Sequence, residues 1–121
     1  MLVGCASSLS PLRSTWNSVN AGAADLEAQI ASDHQADLDA VVQDDSLSTV
    51  AKLDKVREIE EKWHPAYNAY RSLRAALAVT RTAITAAEEA EIRGEPLDSD
   101  RIVKLTRSLL DAREAVKEAI P

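Results

Sequence analysis

From Trp63 to Ala87 the apolar side chains recur at alternating steps of three and four residues. The repeat consists of Trp63, Ala66, Tyr70, Leu73, Leu77, Thr80, Ile84 and Ala87. Such spacing places the apolar side chains in one stripe along a helix and predicts packing against other helices, as in a coiled coil. A half-buried strand would need alternation with a period of two, and the sequence has no sustained run of that kind. The pattern therefore predicts an all-α fold.

Two further segments carry stripes with the same spacing. The first consists of Leu12, Trp16, Val19, Ala23, Leu26 and Ile30, and the last of Ile102, Leu105, Leu109, Ala112, Val116 and Ile120. Because the links between such segments are short, we expect an antiparallel three- or four-helix bundle, coiled-coil-like in its packing. The composition agrees, since aromatic residues make up only 3% of the 121 residues and Phe is absent.

The helix ends are marked by capping and turn residues. Ser10 and Pro11 are suited to the cap and first turn of the first helix. Its stripe falters after Ile30, and we expect a continuous or slightly broken helix that ends near Gln43. The alternative is a second helix opened by a capping box at Ser32 and Gln35. Residues 44–48 indicate a turn, with Ser46 or Ser48 as the next cap.

The central helix is predicted from about Thr49 to Arg93, a length of roughly 65 Å. Pro65 interrupts it, because proline removes one backbone hydrogen bond and clashes with the carbonyl of Glu61. We expect a kink near Pro65, with a full break into two helices as the alternative. Gly94 suits a position just past a helix end, and Asp98 or Ser99 begins the last helix.

The first residues offer a possible lipidation signal. Leu2-Val3-Gly4-Cys5 is followed by a Ser-rich stretch, and it resembles the lipobox of bacterial lipoproteins. The resemblance implies a small bacterial or prophage-encoded helical lipoprotein, acylated at Cys5. It also implies a start upstream of Met1, because a signal peptide needs a basic start and ~7–15 apolar residues. Residues 1–10 would be a tail or lipid tether, and residues 11–121 the helical bundle domain. The alternative is a free thiol in a packed N-terminal tail.

Charge is distributed unevenly along the chain. No Lys or Arg lies between Arg13 and Lys52, a stretch with seven acidic residues, whereas residues 62–87 contain four basic residues and no acid. An acidic first helix beside a basic middle helix would favour their pairing. The alternative is that Arg71, Arg74 and Arg81 form a binding stripe for an acidic partner or a phosphate-bearing headgroup. The formal net charge of −6 argues against nonspecific nucleic-acid binding.

Catalytic and metal-binding motifs are not evident in the sequence. His34 and His64 are the only histidines and lie far apart, and the acidic clusters around Glu60 and Glu89 lack an accompanying Glu-x-x-His pair. Phosphate-binding glycine loops, nucleophile elbows and zinc spacings are also missing. We therefore expect a protein that is not an enzyme and that has no metal, no cofactor and no small-molecule substrate.

The most promising recognition residues cluster around Pro65. Trp63, His64, Tyr67 and Tyr70 would form an interface hot spot if they face a partner, and would otherwise fill the core beside the kink. The leading hypothesis is a helical accessory protein acting by protein–protein contacts. The alternative is a structural or assembly component of a bacteriophage particle or another oligomeric complex. A lipidated chain would lie on the periplasmic side of a bacterial membrane, and one without lipid would be virion-associated or cytoplasmic.

Overall fold

Three α-helices make up the chain in a computed structural model that describes the backbone of residues 3–121 and the side chains of residues 9–121. They are α1 (Val3–Val42), α2 (Thr49–Ile92) and α3 (Ser99–Ala119), with no strand in this range. Each helix packs against the other two. The all-α bundle predicted from the heptad repeats is confirmed, and the described chain has three helices rather than four.

The first helix starts earlier than its capping residues suggest. α1 runs unbroken from Val3, and Pro11 lies inside it with an exposed side chain. The predicted start at Ser10 and Pro11 is therefore wrong. The buried side chain of Leu9 packs with Ile84 and Ile102, which extends the apolar face of the helix beyond Pro11.

Two other sequence-based predictions concern α1. The continuous helix expected to end near Gln43 is confirmed, and the alternative of a capping box at Ser32 and Gln35 is wrong, because α1 continues through both residues. The lipobox falls partly outside the described residues, which exclude Leu2 and the side chains of Val3 and Cys5. Lipidation, and the assignment of residues 1–10 as a tether, remain predictions.

Pro65 is accommodated within one continuous helix. α2 spans Thr49–Ile92 with Pro65 exposed inside it, so the single long central helix is confirmed and the alternative of a full break is wrong, whereas the kink stays a prediction. The proline lies between two buried residues of the apolar stripe, Trp63 and Ala66. Packing on this stripe holds the helix together on both sides of the missing hydrogen bond.

The ends of α2 and the start of α3 follow the sequence signals. The Ser48 side chain accepts a hydrogen bond from the Ala51 amide, at 3.1 Å. At the other end, the amides of Gly94 and Glu95 bond back to the carbonyls of Glu91 and Ala90, which is a Schellman motif. Gly94 has φ +74°, a left-handed conformation that favours glycine. The Asp98 side chain then caps α3.

The core fills the space where all three helices meet. Its larger cluster includes Ile30, Leu73, Leu109 and Val116, and a second cluster near the start of α1 includes Leu12 and Ile102. α3 has only 21 residues and begins beside the end of α2. At 1.5 Å per residue it covers about half the length of α2. We call this three-helix part the body.

Beyond the body, α1 and α2 continue as a two-helix hairpin, which we call the arm (residues 31–62). No side chain of the arm is fully buried. At its end, the tip, Lys52 donates to the carbonyl of Val42 at 2.8 Å, which places a positive charge at the negative end of the α1 dipole. Val42, Val50 and Leu53 are 60–69% exposed at the tip.

Candidate interaction site

The four aromatic side chains of the chain all form polar contacts between α1 and α2. The indole nitrogen of Trp16 donates to the Leu77 carbonyl at 2.8 Å, and that of Trp63 donates to Asp37 at 2.8 Å. The hydroxyls of Tyr67 and Tyr70 bond across the same interface to residues of α1. We call this row the aromatic seam. It ties the two long helices together in one register.

His34 is the α1 partner of Tyr67. Its Nδ1 lies 2.7 Å from the Tyr67 hydroxyl, and its Nε2 lies 2.8 Å from Oε1 of Glu60. A carboxylate can only accept, so the Nε2–H donates to Glu60, and in the neutral ring Nδ1 accepts from Tyr67. The imidazole also lies against the ring of Trp63, with centroids 5.8 Å apart. The ring is thus oriented by contacts on both nitrogens and one face.

Asp37 lies one turn further along α1 and accepts two hydrogen bonds from α2. They come from Trp63 at 2.8 Å and from the Lys62 ammonium at 3.2 Å. The hydrogen bond from Trp63, followed by that from Lys62, lowers the pKa of Asp37 below its usual value. Asp37 therefore stays charged and satisfies the nitrogen of a ring that is only 2% exposed.

Tyr70 extends the seam into the body. Its hydroxyl donates to the Glu27 carboxylate at 2.7 Å. Burial, followed by the hydrogen bond to Glu27, raises the pKa of Tyr70, while nearby Arg74 acts in the opposite direction. This contact joins an acid of α1 to the arginine-bearing stretch of α2 through a neutral hydroxyl.

Trp16 forms the far end of the seam. Its ring is half-buried, and the guanidinium carbon of Arg81 lies 5.0 Å from the ring centroid, a cation–π contact. Beside it, Arg13 pairs with Glu88 at 3.1 Å. These four residues line a groove between α1 and α2, together with Asn17, Ile84 and Thr85. We call it the open groove.

The sequence-predicted recognition residues separate into three groups. Trp63 is buried, whereas Tyr67 and Tyr70 are half-buried in the seam. His64 is exposed beside Glu60 and Glu61. Arg71, Arg74 and Arg81 are exposed as well, but Arg81 covers Trp16 and Arg74 lies near Tyr70. Of the basic residues in the 62–87 stretch, Lys62 forms an ion pair with α1 in the described structure.

The sequence-based predictions do not include the contacts that His34 and Asp37 make in the seam. The step of four from Ile30 to His34, followed by three to Asp37, was the available signal. Both side chains are polar, but a stripe can continue with polar residues where the core ends.

Among residues 9–121, whose side chains the structure describes, no cluster of three or more His, Cys, Asp or Glu side chains is arranged to hold a metal ion. None of the three helices, over the stretch that the structure describes, is long and apolar enough to span a bilayer. The chain matches no protein-family model, no curated protein and no solved structure.

Proposed function

We propose that this chain is a non-enzymatic accessory protein that works by protein–protein contacts, and that the tip of its arm binds a protein partner. The observation that carries the proposal is the exposure of Val42, Val50 and Leu53 at the end of a projecting hairpin. Removing apolar side chains from water is favourable, so exposed Val and Leu side chains on a protruding feature gain free energy when they pack into a groove of a partner.

Contacts between α1 and α2 along the arm hold the tip in a fixed position. Between body and tip, α1 and α2 are joined by the contacts of His34 and Asp37 to α2, and at the tip by Lys52. In the loop, Asp44 accepts a hydrogen bond from the Ser46 amide, and Ser48 caps α2. A preorganised tip loses less conformational entropy on binding than a loose loop would.

The lipid anchor suggested by the sequence is compatible with this arrangement. Cys5 lies near the start of α1 and the tip follows its end, 37 residues later at Val42. At 1.5 Å per residue, an acyl chain on Cys5 would place the tip about 55 Å from the anchor. Intact-mass measurement with N-terminal peptide mapping on natural protein tests this part: acyl mass on an N-terminal Cys5 supports it, and an unmodified Cys5 removes it.

Photo-crosslinking tests the binding function. A photoreactive amino acid is placed at Val50 in the tip or at Ala115, an exposed position on α3 in the body, and crosslinking is done in the source cells. We expect a discrete adduct from position 50 and none of that mass from position 115. A Leu53→Ser change should remove the adduct without loss of helix content. Equal labelling from both positions would contradict the proposal.

A further inference from the structure

The open groove in the body combines positive charge with apolar surface. All of its lining residues belong to α1 and α2, and they include two arginines, Arg13 and Arg81, and one acid, Glu88. The half-buried ring of Trp16 and the side chain of Ile84, which is 8% exposed, supply its apolar surface. A groove with this lining suits a ligand that has an anionic end and an apolar stem.

The charges of the groove do not cancel. Arg13 pairs with Glu88 at 3.1 Å, whereas Arg81 forms no ion pair with any of residues 9–121. Two arginines against one acid leave a net charge of +1 in the groove. The nearby acid Glu89 lines a separate depression on the other side of Arg81, and exposed Arg74 lies one heptad before Arg81 on α2. The cationic group without a counter-ion is therefore Arg81.

Arg81 is held in place before any ligand arrives. Its guanidinium carbon lies 5.0 Å from the centroid of the Trp16 ring. That ring is itself fixed, because its indole nitrogen donates to the Leu77 carbonyl at 2.8 Å. A cation–π contact uses the positive charge and not the N–H donors, so those donors stay free to bond an anion. A side chain that is already ordered also loses less conformational entropy on binding.

The size of the groove limits what it can hold. Its volume is about 180 Å³, below the ~300–1,000 Å³ of pockets that enclose a whole small molecule. One side chain of a protein partner is closer to this size. A carboxylate matches the planar fork of a guanidinium and can accept two of its hydrogen bonds. Glu88 already shows a carboxylate bonded to Arg13 within the groove.

We propose that the open groove binds a glutamate or aspartate side chain of a protein partner. The carboxylate pairs with Arg81, its stem packs on Trp16 and Ile84, and Glu88 competes with it for Arg13. A single negative charge balances the groove, whereas a phosphate carries about −1.5 to −2 and would be repelled more strongly by Glu88. This contact surface in the body is separate from the tip, because Trp16 and Val42 are 26 residues apart on α1, a distance of about 39 Å.

The two indole N–H signals of the chain provide a test with an internal control. In ¹⁵N–¹H NMR the Trp16 signal reports on the groove. The Trp63 signal reports on a site near Asp37, which lies 21 residues further along α1, or about 30 Å away. The probe is a capped tripeptide with glutamate between two alanines, added at constant ionic strength. We expect a saturable shift of the Trp16 signal alone, with a dissociation constant in the millimolar range.

Matched peptides and variants separate pairing from general charge. The same peptide with glutamine should produce no saturable shift, and the one with phosphoserine should bind more weakly than the glutamate peptide. Arg81→Gln should weaken binding at least about fivefold, because it removes the charged donors. Glu88→Gln should strengthen binding about threefold, because Arg13 is then free for the ligand. Arg107→Gln, at an exposed position of α3, should change nothing, and circular dichroism verifies the helix content of each variant.

Other results would overturn the proposal. They are an equal response to the glutamine peptide, unchanged binding by Arg81→Gln, weaker binding by Glu88→Gln, or tighter binding of the phosphoserine peptide. Leu53→Ser at the tip should leave the titration unchanged. Failure of the groove would therefore leave the proposed function of the tip standing.

Discussion

The indole nitrogen of Trp63 reaches the Asp37 carboxylate at 2.8 Å, at the level where the three-helix body becomes the two-helix arm. The ring packs in the apolar core, and its indole nitrogen makes one of the first polar contacts of the arm. One side chain therefore joins two kinds of packing.

Replacing Trp63 by Phe keeps an aromatic ring in the core and removes the nitrogen. We expect a loss of about 1–3 kcal/mol in the free energy of unfolding, from the lost hydrogen bond and the smaller ring. Urea unfolding measures it. The matched Trp16→Phe change, at a half-buried ring bonded to a backbone carbonyl, should cost about 0.5–1.5 kcal/mol. Equal losses in the free energy of unfolding at the two positions would contradict a larger contribution of Trp63 to stability.

The stability of the fold should depend on pH through the ionisation of Asp37. Its folded-state pKa lies below the ordinary 3.8, so its contribution is present above the unfolded pKa and is lost as the pH falls through the folded pKa. The urea midpoints of the wild type and Asp37→Asn should thus differ by a constant amount above about pH 5 and converge below the folded pKa. The same series on Asp25→Asn, an exposed carboxylate of the same helix, serves as the control. A gap that persists into strong acid would exclude an electrostatic origin.

Two glycines should respond oppositely to alanine. Gly94 has φ +74°, and a Cβ there meets no atom within 4 Å, so the strain of Gly94→Ala is purely a backbone effect, about 1–2 kcal/mol destabilising. Gly22 lies inside α1 and its Cβ site is also open, so Gly22→Ala should stabilise by about 0.5–1 kcal/mol. Thermal melts of both variants test the pair. A stabilised Gly94→Ala would show that the left-handed turn is not required.

Pro65→Ala should raise the melting temperature. The alanine amide can bond to the Glu61 carbonyl, and no buried contact is lost because Pro65 is exposed. Asn68→Ala, at another exposed position of α2, controls for the helix propensity of alanine. If Pro65→Ala lowers stability while Asn68→Ala does not, the local shape set by the proline is needed for the packing of Trp63 and Ala66.

Adjacent leucines on α3 provide a test of the core. Leu109 is fully buried, whereas Leu110 is 39% exposed. We expect Leu109→Ala to cost about 2–5 kcal/mol, and Leu110→Ala to cost less because it leaves no enclosed cavity. Denaturant unfolding of both measures the difference. Comparable losses would mean that the exposed face of α3 is covered, for instance by another copy.

The sequence predicts most of this fold because local signals and long-range packing agree. The stripe from Trp63 to Ala87 matches the packed face of α2, and Ser48, Gly94 and Asp98 mark helix ends by backbone chemistry that needs no partner. The helix start predicted at Pro11 is wrong because the burial of Leu9 overrides the local preference of proline for a first turn. Leu9 contacts α2 and α3, and capping rules do not consider such long-range contacts.

The candidate site was less accessible to sequence reasoning. Tyr67 and Tyr70 are predicted recognition residues because of their type and their position around Pro65, but their partners His34 and Glu27 lie 33 and 43 residues away. Such pairs depend on the register between α1 and α2, which follows from the loop at residues 43–48 and from the shift in the α1 stripe after Ile30. Spacing within one helix does not encode that register.

Because the third helix is short, the length of the arm can change independently of the body. Because α3 covers only the body, the arm depends on contacts between α1 and α2 alone. Adding one heptad to each of these helices would lengthen the arm by about 10.5 Å while leaving every contact of α3 in place. The distance between the body and the tip is therefore set by the number of heptads in the arm. Insertion or deletion of whole heptads can change that distance and leave the core intact.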